Sequence, residues 1–333
     1  MKIKFVLYIF VFFGVVMMLT ANAETKKDRV RVLFNINQAY CAIKTNSVTG
    51  FTNRDSASEG RGGGISSTNA LMLMENGINE ISLEFGSLGW FSDGNSFRDK
   101  LEYFNPQAEC SLDLVRFHEG EEQIISSMKV VVNNSGQPEA LNDNNHPVSK
   151  LKVLAEQIVP GHIDSDYYDS NYYPKGMALY RFTQSVAISG IPEWPWVRAQ
   201  VFTGADNQIK DLKSAYIEMA EIIKSRSRLN LKEFNKVALE AWSETTGESK
   251  DDILYSLYPV NKLEGGGAKL LPIKWDDYDI RVMNKGRMVQ FYNKSNPEYS
   301  PLTYRYIDED GDECLGFFAP IFSLINGKFV PVI

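Results

Sequence analysis

Short runs of alternating apolar and polar residues, closed by small polar turns, recur through the N-terminal half of this chain. In residues 30–37, Val30, Val32, Phe34 and Ile36 fall on one face and Arg31, Asn35 and Asn37 on the other. Successive side chains of a strand point to opposite faces, so this spacing reads as a half-buried strand. Residues 52–68 are rich in Ser, Gly, Asn and Asp and read as a mobile loop. Asn76-Gly77 separates the apolar run Leu71–Met74 from Ile81, Leu83 and Phe85. Both turn residues tolerate positive φ, so a hairpin is expected there. Further strands are expected over Cys110–Phe117, Gln123–Val132, Met177–Ile188 and Trp196–Phe202, and one helix near Ser149–Val159. Residues 161–175 read as a polar, tyrosine-rich loop. Many short strands with polar turns imply an antiparallel β-sandwich, jelly-roll-like, over residues 24–203.

The texture changes at Gly204. Leu212, Ala215, Tyr216, Met219, Ile222 and Ile223 repeat at helical spacing. A second helix is expected from Asn230 as N-cap to Gly247 as stop, with Glu233 completing a capping-box-like pattern. A third covers Asp251–Leu257, ended by Pro259. After Gly265-Gly266-Gly267 come strands over Tyr278–Met283, Met288–Tyr292, Thr303–Ile307 and Cys314–Phe318, then a hairpin turning at Asn326-Gly327. Two or three helices followed by a β-meander make residues 204–333 an α+β domain.

The first 23 residues carry an address. Lys2 and Lys4 precede an apolar run from Phe5 to Leu19, and Ala21-Asn22-Ala23 follows. This is the form of a secretory signal peptide cleaved after Ala23. The run is shorter than the roughly 20 residues that span a bilayer, and no later stretch is apolar for long enough. The expectation is a periplasmic protein without a stable membrane span after cleavage. Removing residues 1–23 takes away two lysines and no acid, moving the net charge from −7 to −9. Nucleic acid is excluded as a partner, since phosphate binding needs clustered cations. An oxidising compartment favours a bridge between Cys41 and Cys110, with Cys314 as the odd thiol, buried behind Phe317 and Phe318.

The catalytic signatures are missing: there is no G-x-S-x-G elbow and no H-E-x-x-H. Gly60-Arg61-Gly62-Gly63-Gly64 lacks the ending of a phosphate loop. Asp308, Asp310 and Asp312 alternate like calcium ligands, but Glu313 and Ala319 stand where an EF-hand needs glycine and glutamate. A solvated hairpin tip is the simpler reading. His162, Asp164, Asp166 and Asp169 could aim at one ion, but Asp and Asn also enrich ordinary loops. His118 and His146 read as surface residues. The sequence therefore calls for no metal, no cofactor and no catalytic residue. The candidate binding residues are Tyr167, Tyr168, Tyr172, Tyr173, Trp194 and Trp196, in loops stiffened by Pro174, Pro192 and Pro195, with Asp308, Asp310 and Asp312 as a second contact. Rigid aromatics suit a protein or sugar partner, or they pack between two domains.

Glu75-Asn76-Gly77-Ile78-Asn79-Glu80-Ile81, within Leu71–Phe85, resembles the strand that opens galactose-binding-like jelly rolls, which implies a fold type and no sugar site. The helices-then-sheet order of 206–333 is loosely similar to the NTF2-like fold. The export signal, acidic mature chain, sandwich and lack of catalytic motifs together resemble exported accessory proteins of Gram-negative bacteria, including periplasmic immunity proteins of type VI secretion effectors. That resemblance implies a non-catalytic protein that binds and neutralises a toxin. A carbohydrate- or envelope-binding module and a hydrolase without a short motif are the alternatives.

Overall fold

The computed structural model describes residues 28–92, 101–118, 120–141, 146–258, 268–308 and 310–333. The expected signal peptide, its cleavage after Ala23, Pro259 and the Gly265–Gly267 loop lie outside the described residues.

The N-terminal strands are β1 (Arg29–Asn37), β2 (Tyr40–Thr45), β3 (Val48–Thr52), β4 (Gly64–Asn69), β5 (Gly77–Gly86), β6 (Glu109–His118), β7 (Glu121–Val132), β8 (Pro138–Leu141) and β9 (Val148–Leu154). A short hairpin, β10 (Gly161–Asp164) and β11 (Tyr167–Asp169), precedes β12 (Ala178–Ile188). One sheet runs β4-β1-β6-β7-β8 and the facing sheet β3-β2-β5-β12-β9. The pairings are antiparallel throughout, as expected of a sandwich. Val30, Val32, Phe34 and Ile36 are all buried, as their alternation requires. They face Ile43, Ile81, Leu83, Phe85 and Phe182 of the other sheet in one core. Burial of each such side chain contributes roughly 1.5–3 kcal/mol.

Cys41 of β2 and Cys110 of β6 meet inside this core, both fully buried. They are not bridged, which corrects the expected disulfide. In apolar surroundings each packs as a small hydrophobe. Burial, reinforced by the neighbouring Cys110 thiol, pushes the Cys41 pKa far up and holds it protonated. Cys314 is half-buried rather than buried, and its thiol donates to Asp308 Oδ2 at 3.4 Å.

Four local expectations change for identifiable reasons. Residues 54–69 are ordered as a helical turn, α1 (Arg54–Ser58), and edge strand β4, whose ladder with β1 outweighs its Ser/Gly-rich composition. The 148–154 segment is strand β9 and not a helix, because pairing with β12 overrides the Leu151/Leu154 spacing. Leu71–Leu73 form a 3-10 turn and no hairpin arm. All three are buried, and they plug the end of the sandwich. Trp194 Nε1 donates to Leu71 O at 2.9 Å and Trp196 Nε1 to Met72 O at 3.1 Å. Pro195 starts a 3-10 turn, Pro195–Arg198, so 196–202 is no strand; only Gln200 bridges to a strand.

In the C-terminal half, α2 (Asp206–Ser225), α3 (Arg228–Phe234), α4 (Lys236–Thr246) and α5 (Lys250–Leu257) precede β13 (Lys269–Leu270), β14 (Tyr278–Met283), β15 (Met288–Asn293), β16 (Leu302–Ile307), β17 (Glu313–Phe318), β18 (Phe322–Ile325) and β19 (Lys328–Pro331). The expected second helix is two helices. Ser227, not Asn230, caps α3 by accepting the Asn230 N–H. Buried Asn235 breaks the run, donating to Leu231 O and accepting from the Tyr258 hydroxyl. Gly247, at φ 80°, ends α4 as expected. The helices cover sheet β14-β15-β18-β19. The buried Tyr216 of α2 anchors them, accepting from Phe291 N at 3.1 Å and donating to Pro320 O at 3.3 Å. The 326–327 turn closes the last hairpin with both residues at positive φ. Among the described residues, no helix is long and apolar enough to cross a membrane.

The two halves interlock around a buried amide cluster. Asn46 and Asn284 both donate to Leu73 O, at 2.7 and 3.1 Å. Asn46 also donates to Asn79 Oδ1 at 2.9 Å, and Asn284 N to Asn46 O at 2.9 Å. Beside them, Arg287 grips both carboxylate oxygens of Glu75 at 2.8 and 2.9 Å, and Lys285 adds a further pair. The Arg287 hydrogen bonds outweigh partial burial and, with Lys285, lower the Glu75 pKa from 4.5 to about 2. A carboxyl depressed in the folded state stabilises the protein above its unfolded pKa, and that stability is lost as pH falls from about 4.5 towards 2. Glu75→Gln should therefore be less stable at pH 7, by on the order of 3 kcal/mol. Thermal melts of the two proteins should converge through that acid window; a gap independent of pH would contradict the assignment.

Candidate functional site

The candidate binding residues part company in the structure. Trp194 and Trp196 are 5% and 1% exposed, and their indole N–H groups are committed to the 71–72 carbonyls. They are packing residues and present no surface to a partner. Tyr172 and Tyr173 turn inward, to a cleft between the sandwich and the second half. The Tyr172 hydroxyl donates to Glu298 Oε1 at 2.8 Å, and Arg54 lies 4.4 Å above its ring. The Tyr173 and Tyr40 hydroxyls pair at 2.9 Å. Burial raises the pKa of all three phenols, so each stays neutral.

Tyr167 and Tyr168 remain on the surface, 39% and 56% exposed. They lie in β11, at the turn of the β10–β11 hairpin. This hairpin is fastened to β16 by Arg305. The guanidinium pairs Nε with Asp164, Nη2 with Asp166 at 2.9 Å and Ser165 Oγ at 3.0 Å, and Nη1 with Glu313 at 2.9 Å. Five N–H donors in a rigid fork let one arginine bond several acceptors at once. The Asp164 hydrogen bond, then those to Asp166 and Glu313, push the Arg305 pKa up. The same contact, against some desolvation, lowers that of Asp164.

Glu313 opens β17, directly across from Ile307 at the end of β16. The turn joining those strands carries Asp308, Asp310 and Asp312. Arg305 therefore ties the tyrosine hairpin to the acidic turn, although about 140 residues separate them. Asp308 shapes the turn: its Oδ1 accepts the Asp310 and Asp312 N–H groups at 3.0 and 2.9 Å. The Asp312 backbone bond leads in lowering the Asp308 pKa. Asp310 and Asp312 are exposed. Between hairpin and sheet lies a cavity of about 380 Å³ lined by Tyr167, Tyr299, Tyr306 and Leu315. The Tyr167 and Tyr299 rings are 5.9 Å apart, and Tyr299 packs on Phe317 at 5.1 Å.

The possible metal set is dispersed. Asp164 and Asp166 serve Arg305, Asp169 accepts from Asn296 Nδ2 at 3.0 Å, and His162 packs on the Tyr168 ring. Among the described residues, no three His, Cys, Asp or Glu side chains are grouped to hold a metal ion. His118 is paired with Asp28, and His146 is half-buried rather than on the surface.

The chain matches no family model, and no curated protein or solved structure matches it.

Sequence reasoning missed Arg305 and Tyr299, which organise this face. A single arginine in an alternating strand carries no local sign that its acids lie far upstream. Arg305→Lys keeps the charge but loses the fork. Backbone amides of residues 161–169 should then exchange with solvent about tenfold faster, with little change at α2. Unchanged protection of the hairpin would show that something else holds it.

Proposed function

We propose that the protein is a non-catalytic binding protein that captures a basic protein partner with the face built from Tyr167, Tyr168 and the Asp308–Asp312 turn. The carrying observation is the Arg305 clamp, which supports joining the two sequence-derived contact segments into one surface. Exposed tyrosines supply contact area at low entropic cost. Exposed Asp310 and Asp312 supply a negative field that accelerates encounter with a positive patch. Ile307 and Phe317, 55% and 38% exposed, extend the apolar part of the same neighbourhood. An ordered surface of this kind needs little reorganisation on binding.

With the export signal expected from residues 1–23, the reading becomes that of a periplasmic protein that neutralises a secreted toxic effector by covering its active site. The acidic charge of the chain and the absence of short catalytic motifs support a role in binding.

A photo-crosslinker placed at Tyr168 in exported protein should trap one basic partner, and the purified pair should associate in solution. The double substitution Asp310→Lys/Asp312→Lys should slow association about tenfold at low salt, less at high salt. Tyr167→Ala/Tyr168→Ala should speed dissociation. Recovery of general chaperones alone, or an association rate indifferent to the charge reversal, would count against the proposal.

A further inference from the structure

The outer face of sheet β3-β2-β5-β12-β9 is divided in two. Tyr40, Ala42, Met177 and Leu179 form an apolar patch with Ala57 and Ala155, covered by Leu88, Trp90 and Phe91. On the same rows, the antiparallel register sets Ala42 beside Glu84 and Glu84 beside Arg181, with Lys44 opposite Ser82. The sheet is roofed here too, by β14 and the turn carrying Glu298. The roof does not close down on the charged half. A cavity of about 470 Å³ is left between them.

Glu84 lies at the cavity floor, 5% exposed. Lys44 Nζ meets its Oε1 at 2.8 Å, and Arg181 reaches the same oxygen from Nε and Nη2 at 2.9 and 2.6 Å. Burial alone would raise the Glu84 pKa, but Lys44 and Arg181 overcome it and keep the group ionised. In the roof, Arg281 of β14 bonds Glu156 Oε2 at 2.5 Å and covers the Tyr292 ring at 4.6 Å. Only Glu84 of this network is buried, while Arg181 and Arg281 stay 38% and 26% exposed, so water screens the pairs and they contribute little stability. An empty space beside them lowers packing further. Stability therefore gives no reason for this arrangement between two halves that elsewhere interlock tightly.

The chemistry of the walls narrows the occupant. The three cations lining the cavity, Lys44, Arg181 and Arg281, are each already ion-paired, so no cation is left to select an anion. Glu84 receives its three contacts on one oxygen, while a carboxylate offers about four acceptor sites. The walls therefore mix acceptor capacity with fixed N–H donors, the complement of vicinal hydroxyls, which donate and accept together. Tyr172 and Tyr173 supply aromatic surface at one side. The volume falls within the roughly 300–1,000 Å³ typical of small-molecule sites.

We propose that this inter-domain cleft binds a neutral, hydroxyl-rich ligand of the saccharide class, with Glu84 and Arg181 at its floor and Arg281, Glu298 and the Tyr172–Tyr173 pair at its walls. The site is separate from the protein-binding face and independent of it.

Calorimetric titration of the full chain with glucose, galactose, N-acetylglucosamine and its β-1,4 disaccharide tests this, with inorganic phosphate and glutamate as charged controls. At least one saccharide should bind saturably, with Kd in the millimolar range or below. Arg281→Gln and Glu298→Gln lie in the roof; each should leave the chain folded, with a lowered melting temperature, while weakening that Kd about tenfold or more. Tyr168→Ala, on the other face, should leave it unchanged. The inference falls if no saccharide binds the folded protein at tens of millimolar. It also falls if binding persists within twofold in both roof variants, or if phosphate or glutamate binds in preference.

Discussion

The arrangement of the two halves depends on a buried cluster of three asparagines, two of which share one carbonyl. Asn46 lies at the β2–β3 turn, Asn79 in β5 and Asn284 after β14, and Leu73 O accepts from two of them. A buried acceptor or donor left without a partner costs about 1–3 kcal/mol, so the Asn46 and Asn79 amides require each other in place. Asn46, Ser47, Asn284 and Lys285 all hold positive φ, between 48° and 66°. That region is costly for residues with a Cβ, and Asn tolerates it best. The strain persists because the amide network determines those turns several times over. From this point the sheet of the second half is carried across the sandwich face, and the saccharide-sized cleft is the gap that remains.

The periodicity of the sequence made much of the fold legible. The alternation in β1 and the helical stripe in α2 each identified an element and its buried face, since both patterns record which side chains leave water. The 326–327 turn was legible because its Asn-Gly pair sits between true strands. The same dipeptide at 76–77 misled, because Leu71–Met74 is apolar without alternation, a pattern a plug shares with a buried strand. Strand β9 was hidden for a different reason. Its ladder with β12 is a long-range interaction, while the spacing of Leu151 and Leu154 mimics a helix locally.

The binding surface was legible in its parts and not in its assembly. Aromatic loops and an acidic turn stand out by composition, but composition does not distinguish an exposed tyrosine from a buried tryptophan. The two indoles are buried because each N–H finds a backbone carbonyl in the plug. Tyr172 and Tyr173 face the cleft because each hydroxyl has a partner there. The face that remains is joined by Arg305, and the cleft floor by Glu84, Arg181 and Lys44. Each of these arrangements depends on register between segments distant in the chain.

The two thiols at the centre of the sandwich have a practical consequence. Cys41 and Cys110 are both buried, whereas Cys314 sits half-covered near a solvated turn. An alkylating reagent in water meets the last directly and the first two only when the sheets separate. The chain thus carries its own internal timer: the slow modification of two sulfurs after one fast event reports how often the sandwich opens, with no label added.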